Sequence, residues 1–387
     1  MSPPKTQAPP DHIPFNDVVF AEATPQQRVL CWELNGASWA PPMTLEQYVG
    51  RETTLSQTAL SANGGTKYWI LHPKDDPTTI VSACEVTSKR ALISEPTTGT
   101  REVAAYSIAS VFTNPRFRER GMAGHLLRQV QAHVDDDAAG AATECGALYS
   151  DIGRAYYTRL GWKDFRSPQV LFTLAAADDD LAITPPSRDD DDDDVPVALL
   201  TAEQVAPLCE KDVAAVREAF GRHHAQDAGN KTRVAFLPTA EQLAWHFARD
   251  SYVCQTMLGR EVVHRGAATA DGAAWIYWDH DLREKKLKVL RIVTRGGDGV
   301  EKRRGDVGKL LRAALGEAKE WGLPKVLVWS PAVEVTAAAT ELWRELGPKV
   351  QVAFEEREDG SIPSLRWRGG KALDDVVWEC NEYYAWC

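Results

Sequence analysis

The chain has 387 residues, 44% of them hydrophobic, and a formal net charge of −11 from 44 basic and 55 acidic residues. That length suits two domains with real cores, and the acidic balance argues against a nucleic-acid or membrane-surface role, since both need a broad basic field. Seven cysteines at scattered positions form no CxxC pair, so neither a zinc site nor a disulfide framework is suggested and no metal is expected.

In chain order, the N-terminal MSPPKTQAPPDH lacks the apolar core of a signal peptide, and residues 1–14 read as a disordered lead. With no apolar run of membrane-spanning length and thiols that read as reduced, a cytosolic location is expected. Thr24-Pro-Gln-Gln27 opens a helix: threonine fits the cap, proline the first turn and glutamine the reciprocal cap. Thr44-Leu-Glu-Gln47 repeats the signal. Tyr68–Leu71 and Thr79–Val86 read as strands, Arg90–Ile93 continues the meander, and Ala105–Thr113 is a further strand. From Gly121 to Val134 a helix is expected, with Ala123, Leu127, Val130 and Val134 on one face. Ala147–Ser150 is a strand, Asp151 caps a short helix over Arg154–Leu160 that Gly161 ends, and Gln169–Thr173 is a final strand.

Six consecutive aspartates, 189–194, follow Thr184-Pro-Pro-Ser-Arg. Such a run buries nothing and repels itself, so 176–195 reads as an acidic linker between a first domain, 15–175, and a second, 196–387. The pattern then restarts. Capping signals stand at Thr201–Gln204 and Thr239–Gln242, and strands are expected at Glu261–Ala268, Ala274–Asp279 and Leu287–Thr294. A helix is expected over Asp306–Trp321, a strand over Lys325–Trp329 and a helix over Val333–Leu346. The recurring element order raises a structural duplication.

The junction at Val111-Phe-Thr-Asn-Pro-Arg-Phe-Arg-Glu-Arg-Gly-Met-Ala-Gly124 carries the most chemistry. A strand runs into three arginines and then a glycine that opens a helix. The first turn of a helix has unpartnered N–H groups and the positive end of the dipole. Glycine permits close approach and arginine adds charged donors, so a phosphate or pyrophosphate is the natural guest. There is no GxxxxGK[ST] and no GxGxxG, which argues against a nucleotide-hydrolysing P-loop or a dinucleotide fold.

Arg118-x-x-Gly121-x-Ala123 resembles the acetyl-CoA pyrophosphate loop of the GCN5-related N-acetyltransferases (GNAT), [Q/R]-x-x-G-x-[G/A]. Farther on, Tyr156-Tyr157-Thr-Arg-Leu-Gly161-Trp162 matches that family's [F/Y]-Y-x-x-x-G-[F/W]. Cys31-Trp-Glu-Leu-Asn-Gly-Ala-Ser-Trp39, Cys84-Glu85 and Tyr149-Ser-Asp-Ile-Gly153 resemble the fungal lysine N-acetyltransferase subfamily. The resemblance covers about residues 15–175 and extends more loosely to the end. It implies an α+β fold with a mixed, mostly antiparallel central sheet flanked by helices, followed by a second, degenerate GNAT-like domain shaping the acceptor site. It also implies transfer of acetyl from acetyl-CoA to a primary amine. Free L-lysine is favoured as the acceptor, as in lysine catabolism; a protein lysine or another small amine is an alternative, as is a sensor that binds acyl-CoA without turnover.

By the same resemblance, cofactor contacts fall on Val111, Phe112 and Thr113 at the strand's end and on Arg118, Glu119, Arg120, Gly121, Met122, Ala123 and Gly124 in the loop. Ser150 is a further candidate, for the pantetheine arm. Tyr157 stands at the family's tyrosine position and is the expected proton donor to the leaving thiolate. A lysine amine with a pKa of about 10.4 needs a proton acceptor near neutral pH. Glu85 is the first candidate and Asp151 the alternative. Cys84 offers a covalent route with no histidine near it in sequence, so direct transfer is preferred; His125 is read as surface or cofactor-adjacent. In the second half, Lys302-Arg-Arg-Gly305-Asp306 departs from the loop spacing and puts a negative charge where phosphate would sit. The aromatic terminus Asn381–Cys387 is expected to dock, with the cleft between domains as its candidate site.

Overall fold

The computed structural model describes residues 12–136, 143–175, 197–226, 231–295, 299–369 and 372–386. The acidic linker and positions 1–11 of the expected lead lie outside the described residues. The first half runs β1 (Val18–Glu22), α1 (Pro25–Trp39), α2 (Leu45–Ser56), β2 (Thr66–Pro73), β3 (Ser82–Glu95), β4 (Gly99–Thr113), α3 (Met122–Val134), β5 (Cys145–Ser150), α4 (Ala155–Thr158), β6 (Lys163–Asp164) and β7 (Pro168–Leu174). The second half begins with β8 (Ala198–Leu200), α5 (Ala202–Gln226), β9 (Thr232–Phe236), α6 (Ala240–Leu258), β10 (Gly266–Ala268), β11 (Ala274–Asp281) and β12 (Lys286–Thr294). It ends with α7 (Val300–Glu320), β13 (Lys325–Trp329), α8 (Val333–Leu346), β14 (Val350–Glu356), β15 (Ile362–Trp367) and β16 (Val376–Trp378).

Local chemistry sets the helix starts. At α1 the Gln27 amide donates to Thr24 Oγ1 (3.3 Å) while the Thr24 amide donates to Gln27 Oε1 (2.9 Å), and Thr44 and Gln47 do the same at α2. At Thr239 the box is half-made: its hydroxyl accepts from the Gln242 amide, but the Gln242 side chain is engaged with Lys89 and with the carbonyl of Trp386. Helix α7 starts six residues before the expected Asp306, because Lys302 pairs with Asp306 one turn on and Arg304 with Glu301. The strand expected over Glu261–Ala268 is confined to Gly266–Ala268, and the helix expected over Arg154–Leu160 to α4. Asp151 caps nothing: α4 is preceded by Arg154 without a side-chain cap, and Asp151 Oδ1 instead accepts from the Ser361 amide at 2.8 Å.

Among the described residues two sheets form. One has the order β1-β2-β3-β4-β5-β15-β6, with β9 on β3 and β16 on β9; the other is β14-β7-β13-β12-β11-β10-β8. The pairs are antiparallel except β4 with β5, β12 with β13 and β9 with β16. The two halves therefore exchange strands. β15, from near the C-terminus, pairs with β5 from Ile362↔Ser150 to Trp367↔Cys145. β7, expected as the last strand of the first domain, lies between β13 and β14 in the second sheet. The division of the chain at 175 and 196 thus does not coincide with the division of the sheets.

Each sheet has the same heart. A long antiparallel pair (β3·β4 or β11·β12) carries a bulge, and the second strand of the pair joins a parallel neighbour through a long helix (α3 or α7). α3 buries Met122, Leu126, Leu127 and Val130 against one face of the first sheet. Between the sheets, a core joins Ile93, Val234, Phe236, Trp275, Tyr277, Trp329 and Leu365 to the terminal Tyr383, Tyr384 and Ala385. The terminus therefore docks. Tyr384 donates to the carbonyl of Phe236 at 2.6 Å, and Tyr149 on β5 donates to Asn381 Oδ1 at 3.2 Å. No helix of the described residues is long and apolar enough to cross a membrane.

Candidate active site

Strand β4 pairs with β5 only over Ala105–Ile108, so Ala109–Thr113 have no strand partner on that side among the described residues and the two strands part. On the other side the register against β3 slips between Ala83 and Glu85, where Ser110 and Val111 oppose the single residue Cys84. Ser110 sits at φ +52°, a left-handed conformation that a serine adopts only under constraint. The bulge and the parting together leave the main chain of Ala109–Thr113 open at the centre of the sheet. Val111 and Thr113 are partly exposed, while Phe112 is buried with its carbonyl accepting from Ser82 Oγ at 2.8 Å.

The loop that follows is pinned at its base. Asn114 donates to the carbonyl of Ile80 (3.0 Å) and accepts from the Arg116 amide (3.1 Å). Arg118 donates to the carbonyl of Thr113 at 3.2 Å, and the side chains of Arg116, Arg118, Glu119 and Arg120 are exposed. Gly121 takes φ +75° as the cap of α3 and offers no side chain to satisfy the first turn. The ladder begins only where the His125 amide donates to the Gly121 carbonyl at 2.9 Å, so the amides of Met122, Ala123 and Gly124 have no intrahelical partner. Met122 contributes main chain alone, its side chain being in the core. His125 is partly exposed and stacks on Phe15 at 4.7 Å.

Tyr157, at the C-terminal side of the same opening, is 8% exposed in the core beneath α3. Burial pushes its phenol well above the ordinary value, and its hydroxyl makes no hydrogen bond among the described residues. Tyr156 lies half-buried, its ring edge-on to that of Tyr157 with centroids 5.1 Å apart. Ser150 departs from expectation: its hydroxyl donates to the Gly153 carbonyl at 2.6 Å and accepts from the Ile152 amide at 3.3 Å, so it is committed to its own turn. Cys84 faces the core of α3 and Tyr157, where burial drives its thiol up far from the thiolate that a covalent route needs.

Glu85 lies on the opposite face of β3, toward α1 and α2. It keeps a partly open surface but is surrounded by protein. Desolvation, reinforced by the charge of Glu52, pushes its carboxyl up to about 8, against a hydrogen bond with the Ser110 side chain and the charge of Arg51. The Ser110 that forms the bulge thus also binds this carboxyl. Helix α2 supplies the neighbours. Arg51 donates to Glu52 Oε1 at 2.9 Å and lies 4.5 Å from the Tyr48 ring, and Tyr48 donates to Asn35 Oδ1 at 3.0 Å. All four are buried. Nothing in the local sequence distinguishes Tyr48, Arg51 and Glu52 from ordinary helix residues, and only tertiary packing brings them to Glu85. Asp151 is exposed and bound to Ser361, away from this group.

The second sheet repeats the opening without the loop. β12 and β13 pair only over Leu287–Val289 and Val326–Val328 before parting. Here the tail enters the fork: Glu382 pairs with Arg291, and its carboxylate accepts from the Ile292 amide. A cavity of about 1250 Å³ lined by Val293, Arg295, Ser330 and Asn381 lies at this second opening, not beside Glu85. At the start of α7, Lys302 pairs with Asp271, Arg303 with Glu334 and Arg304 with Glu341, so these cations are held by carboxylates. Among the described residues no group of three His, Cys, Asp or Glu side chains is arranged to hold a metal ion.

Residues 182–387 match the family model described as the LYC1 GNAT-like C-terminal domain. The uncharacterized protein YGR111W of Saccharomyces cerevisiae is similar at 24% identity over 91% of this chain and 93% of its own length. Among solved structures, a GCN5-related N-acetyltransferase from Kribbella flavida has a similar fold (TM-score 0.50, 15% identity, 91% of this chain and 72% of that one). The N-myristoyltransferase of Saccharomyces cerevisiae, solved with myristoyl-CoA and inhibitors, is also similar in fold (TM-score 0.50, 10% identity, 94% and 85%). A bulged strand parting from its parallel neighbour, an uncapped helix start behind arginines and a match over more than half the chain lead to one assignment: the chain belongs to the LYC1-like family of GCN5-related N-acetyltransferases, enzymes that use an acyl-CoA and an amine acceptor.

Proposed function

We propose that this protein transfers acetyl from acetyl-CoA to a primary amine by direct attack on the thioester, with the ε-amine of free L-lysine as the favoured acceptor. The observation that carries the reading is the pairing of functions across one opening in the sheet. Glu85, with its carboxyl raised to about 8, lies on one face, and the unpartnered Tyr157 hydroxyl lies on the other. In this reading the pyrophosphate lies on the amides of Gly121–Gly124 beside Arg118, Glu119 and Arg120. The main chain of Val111, Phe112 and Thr113 lines the pantetheine and meets the charge that develops on the carbonyl oxygen.

The steps balance on this chain's own groups. Glu85 accepts a proton from the bound ammonium, whose freed lone pair attacks the carbonyl carbon. The new C–N bond forms as the C–S bond breaks, Tyr157 donates its proton to the departing sulfur, and the second proton shed by the nitrogen restores the Tyr157 phenol, so the one proton released overall is the one on Glu85. A carboxyl raised to about 8 is closer to the amine's own pKa than an ordinary one, so the transfer is less uphill. A buried thiol at Cys84 gives no support to a covalent intermediate.

A small acceptor is favoured over a protein because the Glu85 face is roofed. α6 packs on α2 so closely that a Cβ on Gly50 would meet the Tyr252 hydroxyl at 2.2 Å, and Val253 and Met257 of α6 join the cluster around Tyr48 and Tyr68. The test is release of CoA thiol from acetyl-CoA across free amino acids, diamines and lysine-containing peptides. Turnover with L-lysine is expected; turnover confined to peptides overturns the choice of acceptor, and tight acetyl-CoA binding without turnover overturns the enzyme reading.

A further inference from the structure

Most arginines buried in or between the two halves have a carboxylate partner: Arg51 pairs with Glu52, Arg265 with Asp250, and Arg291 with Asp212 and Glu382. Arg249, on α6, has none. It is only partly exposed, yet its guanidinium makes no hydrogen bond or ion pair among the described residues. It lies over the face of Trp386, 5.6 Å from the ring centroid. Burial of a cation without a partner is costly, by several kcal/mol in a typical interior, and such a group is held in place by what surrounds it or by what binds it.

The surroundings place Arg249 on the acceptor side. Tyr48 lies within electrostatic range of both Glu85 and Arg249, and Arg249 lies within range of Glu52. Of the carboxylates on its other flank, Asp281 pairs with Lys288, while Asp279 lies 3.6 Å from His246; Arg249 lies in the field of both without bonding to either. Glu52 is held by Arg51. The guanidinium therefore balances charge at a distance but is bound by nothing among the described residues; it is set beyond Tyr48 from the raised carboxyl of Glu85 with its five donors unused.

We infer that Arg249 receives the carboxylate of the acceptor, making it the residue that selects an amino acid over a plain amine. This rests on the small-acceptor reading above and adds to it the second point of attachment. A carboxylate and a guanidinium form a paired, planar contact, and in a site shielded by the Trp386 ring and α6 that contact is stronger than at an exposed surface. The far end of the same molecule then presents its ammonium to Glu85. A diamine of equal length offers Arg249 a second cation instead, which the site rejects.

The experiment compares kcat/KM for L-lysine and 1,5-diaminopentane, the same chain without the carboxylate, in the full-length wild type, Arg249→Met and Arg249→Lys. The wild type is expected to prefer L-lysine by about 100-fold or more, the ordinary reach of a polar group left unpaired by the wrong substrate. Arg249→Met should lower kcat/KM for L-lysine by a similar factor, mainly through KM, while the value for the diamine changes by less than about threefold or rises; Arg249→Lys should recover part of the loss. Equal losses for both substrates, with a lowered melting temperature or weaker acetyl-CoA binding, would make Arg249 a structural residue and overturn the inference. Equal use of both amines by the wild type would do the same while leaving the acetyltransferase reading intact. Failure of every small amine while peptides are acetylated would sink both.

Discussion

The sharpest consequence of this site concerns the proton on Glu85. An ordinary glutamate is fully ionised at pH 7, whereas a carboxyl lifted to about 8 by desolvation and Glu52 is ionised in only about one molecule in eleven at pH 7 and in about ten of eleven at pH 9. If Glu85 accepts the ammonium proton, kcat/KM should rise about tenfold between pH 7 and pH 9 and fall again as the free amine loses its own proton near about 10.4. Glu85→Gln should lie ~10²-fold or more below the wild type and lose the acid limb, while binding acetyl-CoA as before. Glu52→Gln should move that limb to lower pH, because it removes the like charge and leaves Arg51 free to favour the carboxylate. A stability measurement checks the same proton independently. The folded-state pKa is raised, so the folded protein keeps a proton that the unfolded chain releases, and stability is lost as pH rises from about 4.5 through about 8. Glu85→Gln escapes that loss and should be the more stable protein at pH 9, by on the order of a few kcal/mol. A Glu85→Gln enzyme with the wild-type pH profile, or one less stable than the wild type at pH 9, would refute the reasoning.

Tyr157→Phe keeps the ring in the core and removes only the unpartnered hydroxyl; kcat should fall ~10²-fold with KM for acetyl-CoA changed little, as steady-state kinetics will show. Calorimetry should find one acyl-CoA per chain, because the cations at the start of α7 are held by carboxylates and Glu382 takes the Ile292 amide in the second fork, and Arg118→Ala should weaken that binding by about tenfold. A stoichiometry of two would contradict this difference between the two forks. His280 is fully buried with Nδ1 3.0 Å from Asp250 and Nε2 3.0 Å from Glu317; burial opposes its charge, but the two carboxylates raise its pKa to about 9. Its contribution is present below about 6.5 and lost as pH climbs through about 9, so denaturation midpoints of the wild type should drop over that window while those of His280→Gln stay flatter.

What was legible in the sequence was what is contiguous. The strand, arginine loop and glycine-opened helix from Ala105 to Val134 are one uninterrupted segment, and both Thr-x-x-Gln boxes of the first half close as their spacing requires. What was not legible depends on partner choice. Pro168–Leu174 is as good a strand beside β6 as beside β13, and only the complete fold selects the second. Asp151 has the form of a helix cap, yet Ser361, 210 positions away, offers two donors that the short α4 does not outbid. The acceptor side shows the same limit: Arg51-Glu52 and Arg249 look like solvated helix charges until α6 is laid on α2.

The exchange of strands ties the first sheet to a second half that has no arginine loop at its own fork. β15 lies between β5 and β6, directly beside the strand that parts from β4 to make the opening. Its loss would expose the edge of β5 and release the Asp151–Ser361 contact at the turn holding Ser150. In return β7 closes the second sheet against β13 and β14. Neither half completes its sheet alone, so the first depends on the second even though the cations at the start of α7 are bound to carboxylates and the second fork holds the C-terminal tail. From the second half, α6 packs on α2 and carries Arg249 against the Trp386 ring of the tail, which is where the proposed acceptor contact would be made.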